Sequence, residues 1–243
     1  MSFSPYLAFL LLPAMVLFLE LGWRLRRRTA SEGNGAVEGA VFALFGLLLA
    51  FTFSGAVSRY DAHRQLVTQE TNDIGTAYLR LSLLAPEDQP AMRKVFRDYT
   101  SSRLNLYDAV GQTISPESVR LQNQIWAMSV KAAASKAANP DATKLLLPAV
   151  NDMIDITSTR QNSFNMHPPA VVFLLLLVFS CVSAFMAGYS AKAVKRDWIY
   201  TFAFALVVTL TVYATLEIEY PRQGLLRLTD LDQGLVALRD SMR

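Results

Sequence analysis

Four stretches of the chain are almost unbroken in apolar residues: 3–23, 36–57, 170–191 and 198–216. Each is close to the roughly 20 residues that a helix needs to cross ~30 Å of hydrocarbon, so each predicts a membrane-spanning helix. The stretch 170–191 holds no charged residue, a pattern that a buried helix of a water-soluble core seldom sustains at this length. Glu20 and Glu38 stand near the ends of the first two stretches. There a side chain can reach the interface, or, for Glu20, pair with Arg24 one turn on.

Between the second and third stretches the pattern changes to helices with one apolar stripe. From Ala36 to about Leu84 the chain has no proline, and Leu66, Glu70, Asp73/Ile74, Ala77 and Leu81 recur on one face, so the second helix is expected to continue out of the membrane. Pro86 with Glu87-Asp88 marks a stop and a new start. The next helix, from about Glu87 to Val110, carries Met92, Val95/Phe96, Tyr99, Leu106 and Val110, and Gly111 ends it. Ser115-Pro116-Glu117 reads as cap, first helical residue and acidic first turn of a third helix with Val119, Gln122, Trp126, Val130, Ala133 and Ala137 on one side. Asn139-Pro140-Asp141 breaks that helix and opens a fourth, with Leu146, Val150, Met153, Thr157 and Phe164, before Pro168-Pro169 leads into the third apolar stretch. Four helices with one apolar stripe each must hide those stripes against one another, which predicts a bundle. After the last apolar stretch, Leu231, Leu235, Leu238 and Met242, with Thr229 as cap, predict a short amphipathic tail helix.

The expected fold class is therefore all-α: a four-helix transmembrane protein with a helical, bundle-like extramembrane domain between its second and third spans. In order, the parts are the first span 3–23, a basic loop 24–35, the second span 36–57, the extramembrane domain 58–167, the third span 170–191, a short loop 192–197, the fourth span 198–216 and a tail 217–243.

Composition agrees with this picture. The chain has 243 residues, 52% of them hydrophobic, and a mean hydropathy of +0.26, above what a soluble globule carries. Charge adds an orientation. Arg24, Arg26, Arg27 and Arg28 follow the first span, and Lys192, Lys195 and Arg196 lie between the third and fourth. Basic residues in short loops stay cytoplasmic. The amino and carboxyl ends and the large domain are then expected on the outer, periplasmic side of a cell inner membrane. Because Met1 to Tyr6 has no Lys or Arg, the first stretch reads as a retained helix rather than a cleaved signal. The lone cysteine, Cys181, lies inside the third span and forms no internal bridge.

The chemistry that these residues exclude is as useful as what they offer. The sequence holds no Gly-rich phosphate loop, serine elbow or paired-cysteine site, so no enzyme and no cofactor are expected. The two histidines, His63 and His167, and the acids near them lack the three-or-four spacing of a helical metal site. No basic cluster is interleaved with stacking aromatics, which argues against nucleic acid. The spans instead carry small residues at helical spacing: Gly39, Ala43, Gly46 and Ala50 on the second, Ser180, Ala184, Ala187 and Ala191 on the third. Such stripes serve close helix packing. At the end of the second span, Phe51, Thr52, Phe53, Ser54 and Ser58 are candidate pore-lining residues, hydroxyls for weak ion contacts and phenyl rings for a dewetting constriction.

Two segments carry a family resemblance. GLLLAFTFSGAVSRYDAHRQLVTQETNDIGTAYLRLSLL, from Gly46 to Leu84, and EIEYPRQGLLRL, from Glu217 to Leu228, resemble the bacterial membrane proteins known as bestrophin-like domain proteins. True bestrophins are pentameric anion channels whose second transmembrane helix lines a hydrophobic neck. The resemblance implies a similar role for the helix containing Phe51 and Phe53. The chain departs from them in having neither their proline-containing neck motif nor the acidic calcium-clasp run of the animal members.

Two functions fit these observations. One is an oligomeric, passive ion channel, its partners being membrane lipid, further copies of itself and a small ion; four spans are few for a pore within one chain, so conduction needs a ring of subunits. The absence of ionisable residues near mid-membrane disfavours a coupled pump. The other is a non-conducting membrane-anchored sensor or scaffold, with the helical domain binding a ligand or partner.

Overall fold

The computed structural model describes residues 5–28, 34–104, 114–191, 197–220 and 233–242. Among these there is no strand. A 3-10 turn, Pro5–Leu10, leads into α1 (Leu11–Arg28); α2 (Gly35–Arg80), α3 (Gln89–Leu104), α4 (Pro116–Ala133), α5 (Ala142–Asn165), α6 (Ala170–Ser190), α7 (Trp198–Glu219) and α8 (Gln233–Ser241) follow. Four of the helices are long and apolar enough to cross a membrane. The chain is all-α, with α1, α2, α6 and α7 as its candidate spans.

The local starts follow from capping. At α4 the Ser115 hydroxyl accepts from the Ser118 amide at 3.0 Å, with Pro116 in the first turn and Glu117 behind it. The Asp197 carboxylate accepts from the Ile199 and Tyr200 amides at 3.0 and 3.3 Å, opening α7. Asn34 does the same for Ala36 at the head of α2. In each case a short polar side chain takes up amides that have no partner within the helix.

The chain divides into two compact units. The first, Met1–Tyr60 with His167–Arg227, has a core of Leu11, Met15 and Leu19 from α1, Leu176 and Ala184 from α6, and Ala205, Val208 and Val212 from α7. Here α1 and α6 cross closely. A methyl group added at Gly22 would overlap the Phe185 carbonyl, and one at Gly188 would overlap that of Leu19, so each helix gives up a side chain where it meets the other's backbone.

The second unit, Asp61–Met166 with Leu228–Arg243, is a helical bundle. Its core joins Ile74 and Ala77 of α2, and Leu81 just past its end, with Met92, Phe96 and Tyr99 of α3, Leu121 and Ile125 of α4, and Leu146, Val150 and Met153 of α5. Leu235 of α8 and Met242 are buried in the same core. Leu106, Val110, Gly111, Thr229 and Leu231, read from sequence as parts of helices, caps or stops, lie outside the described residues.

α4 differs from its sequence reading. Its interior row is Ser118, Leu121, Gln122, Ile125, Ser129, Ala132 and Ala133, while Val119, Trp126 and Val130 are 40%, 39% and 43% exposed. Two rows overlap on this helix, and both contain apolar residues. The narrower one, with serines and alanines, is the one packed between α3 and α5, and the bulkier one is left outside.

Candidate functional site

The 46 residues of α2 form one helix, about 70 Å long at 1.5 Å per residue, that contributes to both units. Its residues sort into two rows. Phe45, Thr52, Ala56, Val67, Glu70, Ile74 and Ala77 are buried, at intervals that keep them on one side. Opposite them, Leu47, Phe51, Ser54, Ser58, Asp61, Gln65, Thr68, Asn72, Thr76 and Leu79 are exposed.

In the first unit the buried row is held by packing and by one polar cluster. Phe42 sets its ring edge against Phe204 of α7, with centroids 6.3 Å apart. Arg59 donates from Nε to both oxygens of Glu219, at 3.1 and 2.9 Å, and its Nη2 lies 2.7 Å from Oε2. The Glu219 side chain is 2% exposed. A buried carboxylate gripped by a planar guanidinium in this way is both charge-compensated and fixed in direction. His167, just ahead of α6, approaches the same carboxylate with Nδ1 at 3.2 Å, and its ring lies 4.6 Å from that of Tyr220. One cluster thus ties α2, the lead into α6 and the end of α7 together.

The second unit anchors α2 through its core. Glu70 is fully buried, and both Arg103 of α3 (Nε to Oε1, 2.5 Å) and Arg160 of α5 (Nη1 to Oε2) donate to its carboxylate. Beside it, Gln122 Nε2 donates to Tyr99 Oη at 3.1 Å and to Thr157 Oγ1 at 3.2 Å, and the Ser102 and Ser118 hydroxyls are 2.9 Å apart. Burial pushes the Tyr99 hydroxyl above its ordinary pKa, against the pull of the Arg103 charge and the Gln122 hydrogen bond. Asp73 is also raised, first by burial and then by the charge of Asp152. His63 lies 3.4 Å by Nδ1 from the Ser163 hydroxyl and 6.0 Å by ring centroid from Phe164. No group of three or more His, Cys, Asp or Glu suited to a metal occurs among the described residues.

The residues singled out for a pore divide between the two rows. Thr52 points inward and donates to the Leu48 and Leu49 carbonyls at 2.5 and 3.1 Å. Phe51, Ser54 and Ser58 are exposed on the opposite row. Phe53 is exposed too, but two residues from Phe51 it lies about 200° around the helix, so the two rings point to different sides of it. Of the small residues, Gly39, Ala43, Gly46 and Ala50 are all exposed, and a methyl group at Gly39 or Gly46 would meet nothing. On α6, Ser180 and Ala184 are buried and Ala187 is half-buried; Ala191, just past its end, is exposed. Gly22 and Gly188 lie where α1 and α6 cross closely, and periodicity did not mark them. The Arg59–Glu219 and Glu70–Arg103–Arg160 contacts were likewise missed: their partners lie 160, 33 and 90 residues away.

The bestrophin-like domain family matches the chain over residues 7–231. The chain belongs to this family. Among solved structures, this bestrophin-like protein is similar to two single-residue variants of a bacterial bestrophin homolog from Klebsiella pneumoniae. One, a tryptophan-to-alanine variant, superposes with a TM-score of 0.70 at 11% identity, covering 99% of this chain and 100% of that one. The other, a tyrosine-to-alanine variant, gives 0.66 at 11% identity over 96% and 98%. At this identity the likeness speaks for the fold. No curated protein sequence matches the chain. Family and spans together make it a multi-pass membrane protein.

Proposed function

We propose that this bestrophin-like protein assembles with copies of itself and passes small ions passively along a path lined by the exposed row of α2. The observation that carries this reading is the contrast between exposed rows. On α6 and α7 the exposed positions are bulky and apolar, as in Val171, Leu174, Leu177, Ile199, Phe202 and Val207, which suits lipid. On α2 the exposed side mixes Leu44, Leu47 and Phe51 with Gly39, Ala43, Gly46 and Ala50, and ends in the hydroxyls of Ser54 and Ser58. Small residues permit close approach of another backbone. Hydroxyls facing outward at a span's end suit an aqueous lumen better than hydrocarbon. No ionisable residue interrupts α2 between Glu38 and Arg59, which fits passive conduction rather than coupling. The cytoplasmic placement of both short basic loops belongs to the same proposal.

Protein reconstituted in liposomes should pass halide or a small cation, and Ser54→Trp should cut the flux severalfold while leaving the oligomer intact. A stable monomer or dimer in mild detergent, together with absent flux, would sink the reading.

A further inference from the structure

The last turn of α1 carries Arg24, Arg26, Arg27 and Arg28, and they part to two sides of the helix. Arg26 turns toward α6: its guanidinium lies 5.7 Å from the ring centre of Tyr189, the residue after Gly188, where the two helices cross. Arg24, Arg27 and Arg28 share a face with Leu17 and Leu21 instead; at about 100° per residue all five fall within about 120° around α1. Leu17 and Leu21 are 65% and 53% exposed, and the three arginines are exposed above them. A row of open leucines closed by guanidiniums thus runs about 16 Å from Leu17 to Arg28, close to the depth of one leaflet in ~30 Å of hydrocarbon.

The charge of that face is only partly answered. Glu20 takes Arg24, its Oε1 lying 2.6 Å from Nε. Among the described residues no acid pairs with Arg27 or Arg28; Arg27 stands 4.8 Å over the Trp23 ring, a contact that holds a cation in place without cancelling its charge. Arginine stems lie along apolar surface while their heads reach the polar boundary, the depth that Trp and Tyr side chains such as Trp23 and Tyr189 favour. A guanidinium there meets phosphate oxygens with paired N–H groups.

We propose that this face of α1 is a binding site for an anionic phospholipid, with the phosphate held by Arg27 and Arg28 and an acyl chain laid along Leu17 and Leu21. A zwitterionic lipid brings its own ammonium to the phosphate and leaves less charge for the arginines. A free phosphate makes no use of the leucines. Lipid binds here whether or not α2 lines a path.

The test is lipid retention by the purified full-length protein in detergent, read by native mass spectrometry during titration with dioleoylphosphatidylglycerol or dioleoylphosphatidylcholine. The wild type should hold phosphatidylglycerol about tenfold more tightly, and the double variant Arg27→Gln, Arg28→Gln should lose at least about tenfold of that affinity, the scale of two basic residues at an anionic surface. Arg64→Gln, at an exposed arginine of the second unit, should bind as the wild type does. Equal retention of the two lipids by the wild type, a comparison that needs no variant, overturns the site. So does a double variant that retains phosphatidylglycerol unchanged, or an Arg64→Gln protein that loses as much. Millimolar inorganic phosphate should leave the lipid bound; complete displacement would make the arginines a site for a soluble anion and overturn the lipid as occupant.

Discussion

Glu70 is the residue whose burial most needs explaining. A carboxylate removed from water is costly unless compensated, and here two guanidiniums from α3 and α5 supply the compensation. Periodicity alone placed Glu70 on the same face as Ile74 and Ala77, yet nothing in the local pattern distinguished an interior acid from one at the rim of a stripe. The partners that decide the matter are 33 and 90 residues away. Glu70→Gln leaves both guanidiniums buried with less charge to answer them. Loss of one partner of such a buried set costs about 3–5 kcal/mol. The thermal transition of the purified protein in detergent should therefore fall markedly for Glu70→Gln. Glu117→Gln, which breaks an exposed pair with Arg120, should leave it in place. Equal behaviour of the two variants would mean that the Glu70 network contributes no more than a solvated pair.

At the scale of elements, length and apolarity made the four spans readable, because crossing hydrocarbon demands both and few other roles do. Starts were readable where one short polar residue does the work, as at Ser115. Which faces meet was harder. The α4 reading selected the row with Trp126 because it is strongly apolar, but the packed row is the one whose serines let α3 and α5 close in. The small-residue stripes of α2 and α6 were visible as patterns, while the close crossing of α1 and α6 uses one glycine from each helix, and a single glycine has no period. Gly188→Ala forces a methyl group into the Leu19 carbonyl, a backbone atom that no rotamer change can move. Overpacking of this kind costs about 1–3 kcal/mol. Thermal melts in detergent should show Gly188→Ala and Gly22→Ala both lowered, with Gly35→Ala, where an added methyl meets nothing, near wild type. An unshifted Gly188→Ala transition would show that α1 and α6 do not approach as described.

For the whole molecule, the property with the widest consequence is which way the spans run. The rule of basic cytoplasmic loops reads charges in short loops and loses force over inserts longer than about 60 residues. Arg24, Arg26, Arg27 and Arg28, with Lys192, Lys195 and Arg196, fall in the two short loops, whereas Arg64, Arg103 and Arg160 belong to the long insert between α2 and α6. The weight of the rule therefore rests on the two loops, and it directs the insert outward. In a Cys181→Ser background, which removes the one native thiol, Lys136→Cys should react with a membrane-impermeant maleimide on intact spheroplasts. Ser31→Cys should react only after lysis. The reverse pattern would turn the molecule over. The lining of the proposed path would be unchanged, but Ser54 and Ser58 would then open toward the cytoplasm rather than the outer side.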